Sequence, residues 1–196
     1  GKVIAGAELA VRYEKDDSSM VSALSNEDGT YALAVQVDQK ISLEVTKENF
    51  SFQAVVLDTN ALKTKTLKIE APDLKIDTLQ EGSAYAIEAI VFETDDAQLS
   101  ADARFLLKGF AIYLSKQTDL SIQINGHTDD IGDAQRNQLL SEKRAAQVAA
   151  YLISLGIAEG RIQYKGYGES QPRVANDSAA NRALNRRTEF EILSLE

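Results

Sequence analysis

The stretch INGHTDDIGD, residues 124–133, holds the only histidine of the chain, three aspartates and two glycines. Three chemistries fit such a set: a catalytic base, a metal site, or a pocket for a charged ligand. His127 has no cysteine and no second histidine to join it, so a zinc site would need carboxylates for nearly every other ligand, which is uncommon. A ring that hydrogen-bonds locally and fixes the loop is the expectation. Asp129, Asp130 and Asp133 offer clustered oxygens to calcium, but the twelve-residue EF-hand pattern with its terminal glutamate is missing. Cysteine nucleophiles and disulfides are excluded outright, and no nucleophile–base pair is visible.

The ligand reading gains from a misplaced charge. Leu140, Val148, Leu152 and Leu155 form one stripe at helical spacing, and Arg144 sits in it, four residues from both Leu140 and Val148. A guanidinium taken from water needs a partner, and a carboxylate of the preceding loop is the natural one. Spacing alone leaves two arrangements open: a structural ion pair of Arg144 with Asp129, or opposite charges lining a cleft for a zwitterion.

The elements that must hold these residues fall into two halves. To about Ile69 the chain reads as short strands: ELAVRYE, YALAVQV and ISLEVTK alternate, FQAVVL and KTLKI follow, and Asp28-Gly29 in SNEDGTY is a hairpin-type turn signal. This predicts a small β-sandwich over residues 1–72, with 73–84 as linker. From 85 to 196 strands alternate with helices: AYAIEAIVFE, then a helix from Ser100 as N-cap with Leu106, Phe110, Tyr113 and Leu114 inward. LSIQINGH, a second helix ended at Gly156, RIQYKGYGE, a short helix SAANRALNR and the strand RTEFEILSL follow. The predicted class is α+β in two domains, the second a βαβαβ-αβ sandwich with a mixed sheet and helices on one face. GYGE lacks the phosphate-loop pattern and reads as a strand end with a tight turn.

The net charge is −9, and neither half is basic: residues 1–72 carry 8 basic and 11 acidic groups, residues 73–196 carry 13 and 19. Broad nucleic-acid binding is therefore not expected. Arg182, Arg186 and Arg187 form the one basic cluster, either a solvated face or a rim meeting an anionic polymer. No apolar run approaches the roughly 18 residues of a membrane span.

The motifs G-H-T-D, N and L-S-x-x-R-A, G-Y-G-E-x-x-P and N-R-R, in that order between about Ile87 and Ile192, resemble the OmpA C-terminal (OmpA/MotB/Pal-like) domain. The resemblance implies a non-catalytic module without cofactor or metal, binding peptidoglycan through the meso-diaminopimelate of the peptide stem. On the matching positions it implies that Asp129 and Arg144 hold the zwitterionic end. Thr128, Asn137 and Leu140 line or shape the pocket, Phe92 borders it, and Arg187 lies near the rim. The family often has aspartate where Glu93 stands, which puts a contact there in doubt. It often has asparagine where Asp130 stands, and the extra negative charge favours an ammonium. The resemblance also implies a periplasmic, outer-membrane-associated location, with an upstream barrel or lipid anchor. The first half, GAELAV…SNEDGTYALAVQ…ISLEVTKENF, resembles a carboxypeptidase regulatory-domain-like (transthyretin-like) β-sandwich, which implies a spacer or a contact with other envelope proteins. The competing reading makes that half the working part and the second half only its anchor.

Overall fold

A computed structural model of the chain describes residues 4–16, 20–62, 66–69, 75–87, 90, 92 and 96–195. It divides into two compact units, Gly1–Leu79 and Gln80–Glu196. Pro72, where the sequence ends the first domain, and Glu93 lie outside the described residues. Residues 75–79 belong to the first unit: Ile76 is in its core and Thr78 bridges Phe50.

In the first unit β1 (Glu8–Tyr13), β2 (Met20–Leu24), β4 (Lys40–Thr46) and β5 (Gln53–Asp58) form an antiparallel sheet in the order β2-β1-β4-β5. β3 (Leu33–Gln36) pairs with β6 (Thr66–Ile69) in a separate two-stranded sheet. Alternation does the sorting, because successive strand residues point to opposite faces. Leu9, Val11 and Tyr13 pair with Val45, Leu43 and Ile41, and all six are buried with Leu33 and Val35. On the opposite face Arg12 and Glu44 form a buried pair, 3.1 Å between Nε and Oε1, and Ser42 donates to the same carboxylate at 2.9 Å.

Two expectations change here. The turn at Asp28-Gly29 is present, with Gly29 N–H donating to the Asn26 carbonyl at 2.9 Å. It does not close a hairpin, because β2 and β3 lie in different sheets. Strand β2 itself is not visible as a periodic stretch. It is an edge strand with Met20, Val21 and Leu24 all exposed, so no alternation marks it.

The second unit runs β7 (Ala84–Ala86), α1 (Ala101–Lys116), β8 (Ser121–His127), α2 (Ala134–Ser154), a 3-10 turn (Glu159–Arg161), β9 (Ile162–Gly168), α3 (Ala179–Asn185), β10 (Thr188–Ser194). The sheet order is β7-β10-β8-β9, with β8 and β9 parallel and the other pairs antiparallel. Both long helices cover one face. Phe110 of α1 meets Phe190 of β10 at 4.3 Å, and Gly126 and Gly166 of the same face meet α2. Ser100 caps α1 by accepting from Ala103 N–H at 3.0 Å. The four predicted inward residues of α1 are buried. Of the α2 stripe, Val148 and Leu152 are buried, whereas Leu155 is the half-exposed C-cap before Gly156, whose φ is 97°. The strand expected over AYAIEAIVFE is limited to three residues in the described part, with Phe92 in an isolated bridge to Leu99. Arg161 closes the end of α1, donating to the carbonyls of Leu114, Gln117 and Leu120 at 3.0, 2.5 and 2.9 Å.

α2 lies unusually close to β8 and β9. A Cβ on Gly126 would stand 2.3 Å from the Ser141 carbonyl oxygen, and one on Gly166 would stand 2.4 Å from the Glu142 nitrogen. Contacts under 3.0 Å force backbone apart. The approach is fixed by side chains as well: Ser141 Oγ accepts from Gly168 N–H at 2.8 Å, and Gln138 Nε2 donates to the Gly166 carbonyl at 2.8 Å. Gly126→Ala is expected to lower stability by about 3 kcal/mol or more, because overpacking here is against main chain. Gly160→Ala, with nothing within 4 Å of the new atom, is the neutral control. Thermal unfolding of both variants checks this.

Candidate functional site

The site lies where β8 ends and α2 begins. Asp133 caps α2, accepting from Arg136 N–H at 3.0 Å, so it serves the helix start. Asp130 is exposed. Asp129 is buried at 7% exposure, and both its oxygens are engaged. Oδ1 accepts from Ile131 N–H at 3.1 Å, and Oδ2 accepts from an Arg186 terminal nitrogen at 2.6 Å.

The arginine that meets Asp129 is therefore Arg186, on the segment before β10. The ion pair that spacing would draw from Asp129 to Arg144 is made by a residue 57 positions away instead. Arg144 is buried at 6% exposure; its Nε donates to the Asp96 carbonyl at 2.8 Å, and its guanidinium lies 5.1 Å from the Phe92 ring centroid. A cation over an aromatic face is held by the ring quadrupole, so Phe92 steadies Arg144 as well as bordering it.

Asn137, Ser141 and Arg144 share one buried stripe of α2. Asn137 sits at its loop end. Its amide donates to the carbonyls of Asp129 at 3.3 Å and Ile131 at 3.2 Å, and to Glu169 Oε2 at 2.6 Å. It works on the loop that carries Asp129 and ties that loop to the end of β9. Thr128 N–H donates to the Gly168 carbonyl at 2.9 Å. Its buried hydroxyl has no hydrogen-bond partner among the described residues. Leu140 is half-buried on α2.

Residues 91–186 match the model of the OmpA family. The second unit is an OmpA-family domain. Outer membrane protein A of Bordetella avium is 43% identical over 103 residues, which cover 52% of this chain and 53% of that protein. The peptidoglycan-associated lipoprotein of Rhizobium meliloti is 34% identical over 100 residues, 51% of this chain and 57% of that one. The chain thus spans little more than half the length of either relative. Among solved structures, the C-terminal domain of Helicobacter pylori MotB superposes with a TM-score of 0.50 at 27% identity, covering 53% of this chain and 81% of that one.

In this OmpA-family domain the histidine of the G-H-T-D motif is not hydrogen-bonded in the way its sequence suggests. Neither ring nitrogen of His127 has a hydrogen-bond partner among the described residues. The ring stacks on Tyr167 at 5.3 Å and 5°, and Nε2 lies 3.4 Å from Glu189 Oε2, near enough for charge attraction but poorly aligned. Loop support comes from its backbone, whose N–H donates to the Arg187 carbonyl at 3.0 Å. Arg187 points to the same carboxylate: Nε donates to Glu189 Oε1 at 2.6 Å, and its terminal nitrogens donate to the Gln171 and Asn185 carbonyls at 3.3 Å. Arg187 therefore anchors the segment before β10, and Arg186 beside it reaches Asp129. Arg186 belongs to the cluster seen in sequence, but nothing in its spacing says which of the two neighbouring arginines turns inward.

Burial raises the Glu189 pKa, yet the neighbouring His127 ring and the hydrogen-bonded, charged Arg187 outweigh it and hold the carboxyl at about 2. A depressed pKa gives stability that is complete above the ordinary glutamate value and lost as pH falls from about 4.5 through 2. Glu189→Gln is expected to cost on the order of 2–3 kcal/mol at neutral pH. It should also flatten the acid limb of the stability profile in that window, read by urea unfolding at each pH. Asn137→Ala strands two loop carbonyls and is expected to cost about 1–3 kcal/mol. Hydrogen exchange should quicken at Thr128 to Ile131 while the α1 amides stay protected.

Proposed function

We propose that the second unit binds peptidoglycan non-covalently through the zwitterionic end of meso-diaminopimelate. The bond is a tether of the outer membrane to the wall, in a periplasmic, outer-membrane-associated protein. The observation that carries this reading is a buried carboxylate and a buried guanidinium: Asp129 on the loop before α2, to whose carbonyl Asn137 donates, and Arg144 on the same buried α2 stripe as Asn137. An amino-acid end group offers an ammonium and a carboxylate on one carbon. Asp129 is acceptor-only, with lone pairs beyond the two bonds it makes, and Arg144 is donor-only. Thr128, with its unused hydroxyl, and Leu140 stand beside them. The peptidoglycan association in the name of the Rhizobium lipoprotein supports the same chemistry. No bond is made or broken, so the reading is of a binding module and not of an enzyme. No helix of the described residues is long and apolar enough to cross a membrane.

For the first unit we propose a transthyretin-like β-sandwich that acts as spacer. A second reading makes it the part that binds envelope proteins. The exposed edge strand β2, with Met20 at 53% and Leu24 at 66% exposure, favours it, because an open edge can accept another strand. Met20→Lys with Leu24→Lys separates the readings: wall binding survives, and any protein partner is lost.

Calorimetry with diaminopimelate and sedimentation with purified peptidoglycan test the main proposal. Asp129→Ala and Arg144→Ala should each weaken binding at least about tenfold, since each leaves a charged ligand group without its partner. Wild-type affinity in variants whose circular dichroism is native would overturn it.

A further inference from the structure

A charge, a proline or a bulge ordinarily protects an edge strand, because its free N–H and C=O groups template further pairing. Strand β2 carries none of these, and its register with β1 runs unbroken from Met20 to Leu24. The register also shows which groups are free. Ser25 N–H donates to the Ala7 carbonyl at 2.9 Å, so bonded pairs recur at every second residue, at Leu9 with Ala23 and at Val11 with Val21. The alternate residues of β1 turn to β4, as Glu14 N–H does in donating to the Lys40 carbonyl at 3.0 Å. The N–H and C=O groups of Met20, Ser22 and Leu24 therefore point away from β1, to an edge where no strand of the described residues pairs. Their side chains stand beside Arg12, Ala10 and Glu8, on the face opposite the Leu9 and Val11 core. All three are exposed there.

The two ends of this bare edge are acidic. Glu14, Asp16 and Asp17 precede it, and Glu27 and Asp28 follow it. Glu14, Asp16, Glu27 and Asp28 are exposed. Lys15, the one cation among them, donates to the Asp38 carbonyl. A second copy of the chain is a poor occupant for that reason. Whether parallel or antiparallel, β2 against β2 sets acidic flanks on acidic flanks, and like charges brought together oppose pairing.

We infer that the β2 edge takes up, as an added strand, an extended segment of another protein that is apolar at alternate positions and bracketed by lysine or arginine. The inference rests on the reading of the first unit as a partner-binding part, and it names the chemistry of the partner. The outward groups of Met20, Ser22 and Leu24 supply the main-chain bonds, Met20 and Leu24 the apolar contact, and the acidic flanks the choice of charge. At about 3.4 Å per residue β2 is about 17 Å long, so roughly nine residues of a partner reach both flanks.

Two peptides with a Thr-Val-Thr-Val-Thr centre decide it by calorimetry on the whole chain, one with a pair of lysines at each end and one with a pair of glutamates. The lysine peptide should bind about tenfold tighter at low salt, and the gap should close as salt rises. It should also shift the amide resonances of Met20, Ser22 and Leu24. N-methylation of its central residues should abolish binding. So should Ser22→Pro, which removes one outward N–H and no bond to β1. Equal binding of the two peptides would sink the charge selection and leave the edge reading standing. Lysine-peptide binding that survives N-methylation, or a dimer of the chain that Ser22→Pro dissolves, would overturn the inference. Failure of both peptides to bind would remove the edge reading and the inference with it.

Discussion

The Ser141 backbone occupies the space that a side chain at Gly126 would need. The rest of the second unit follows from that contact. A helix seated directly on two parallel strands has no room to slide, and Gln138 and Ser141 tie it to β9 by hydrogen bonds. Its first turn is then fixed against the loop leaving β8. Asn137 reaches three acceptors from that turn, and Arg144 follows two turns on along the same stripe. The charged residues owe their relative positions to main-chain contact, which is stiffer than any contact made through long side chains.

Stiffness matters because the site holds several charges at low exposure. A buried charge is costly unless partnered. Asp129 is kept by a backbone N–H and Arg186, Arg144 by a carbonyl and an aromatic face, and Glu189 by Arg187 with His127 beside it. The two neighbouring arginines divide the labour. Arg187 faces Glu189 and fixes the segment, which leaves Arg186 to reach Asp129. A carbonyl and a ring help to fix the position of Arg144, so its guanidinium is held from two sides.

Local signals were legible in the sequence. The Ser100 cap, the inward face of α1, the end of α2 at Gly156 and the anomaly of Arg144 on an apolar stripe each depend on residues within a few turns of one another. The ordered motifs named the second unit. What stayed hidden depends on distant partners. Strand β2 is held by pairing with β1 and has no buried face to print a pattern. The turn at Asp28-Gly29 has correct local chemistry, but whether its arms pair is decided by β1 and β6. His127 looked like a hydrogen-bonding loop residue, and the stack on Tyr167 that holds its ring comes from another strand.

The pairing of Asp129 shows why the distant partner wins. Two arginines compete for one carboxylate: Arg144, fifteen residues on, and Arg186, 57 residues on. Short separation favours the first only in an open chain, where loop closure sets the cost. Once α2 is seated, its axis is fixed by Gly126 and Gly166, and Arg144 is aimed where the stripe aims it. Arg186 is half in solvent, and it reaches Asp129 with much of its guanidinium still solvated. An ion pair with one solvated partner is cheap to form and cheap to open. The fold thus sets the buried end of the pair, Asp129, by main-chain contact, and a side chain from a distant segment supplies the solvated end.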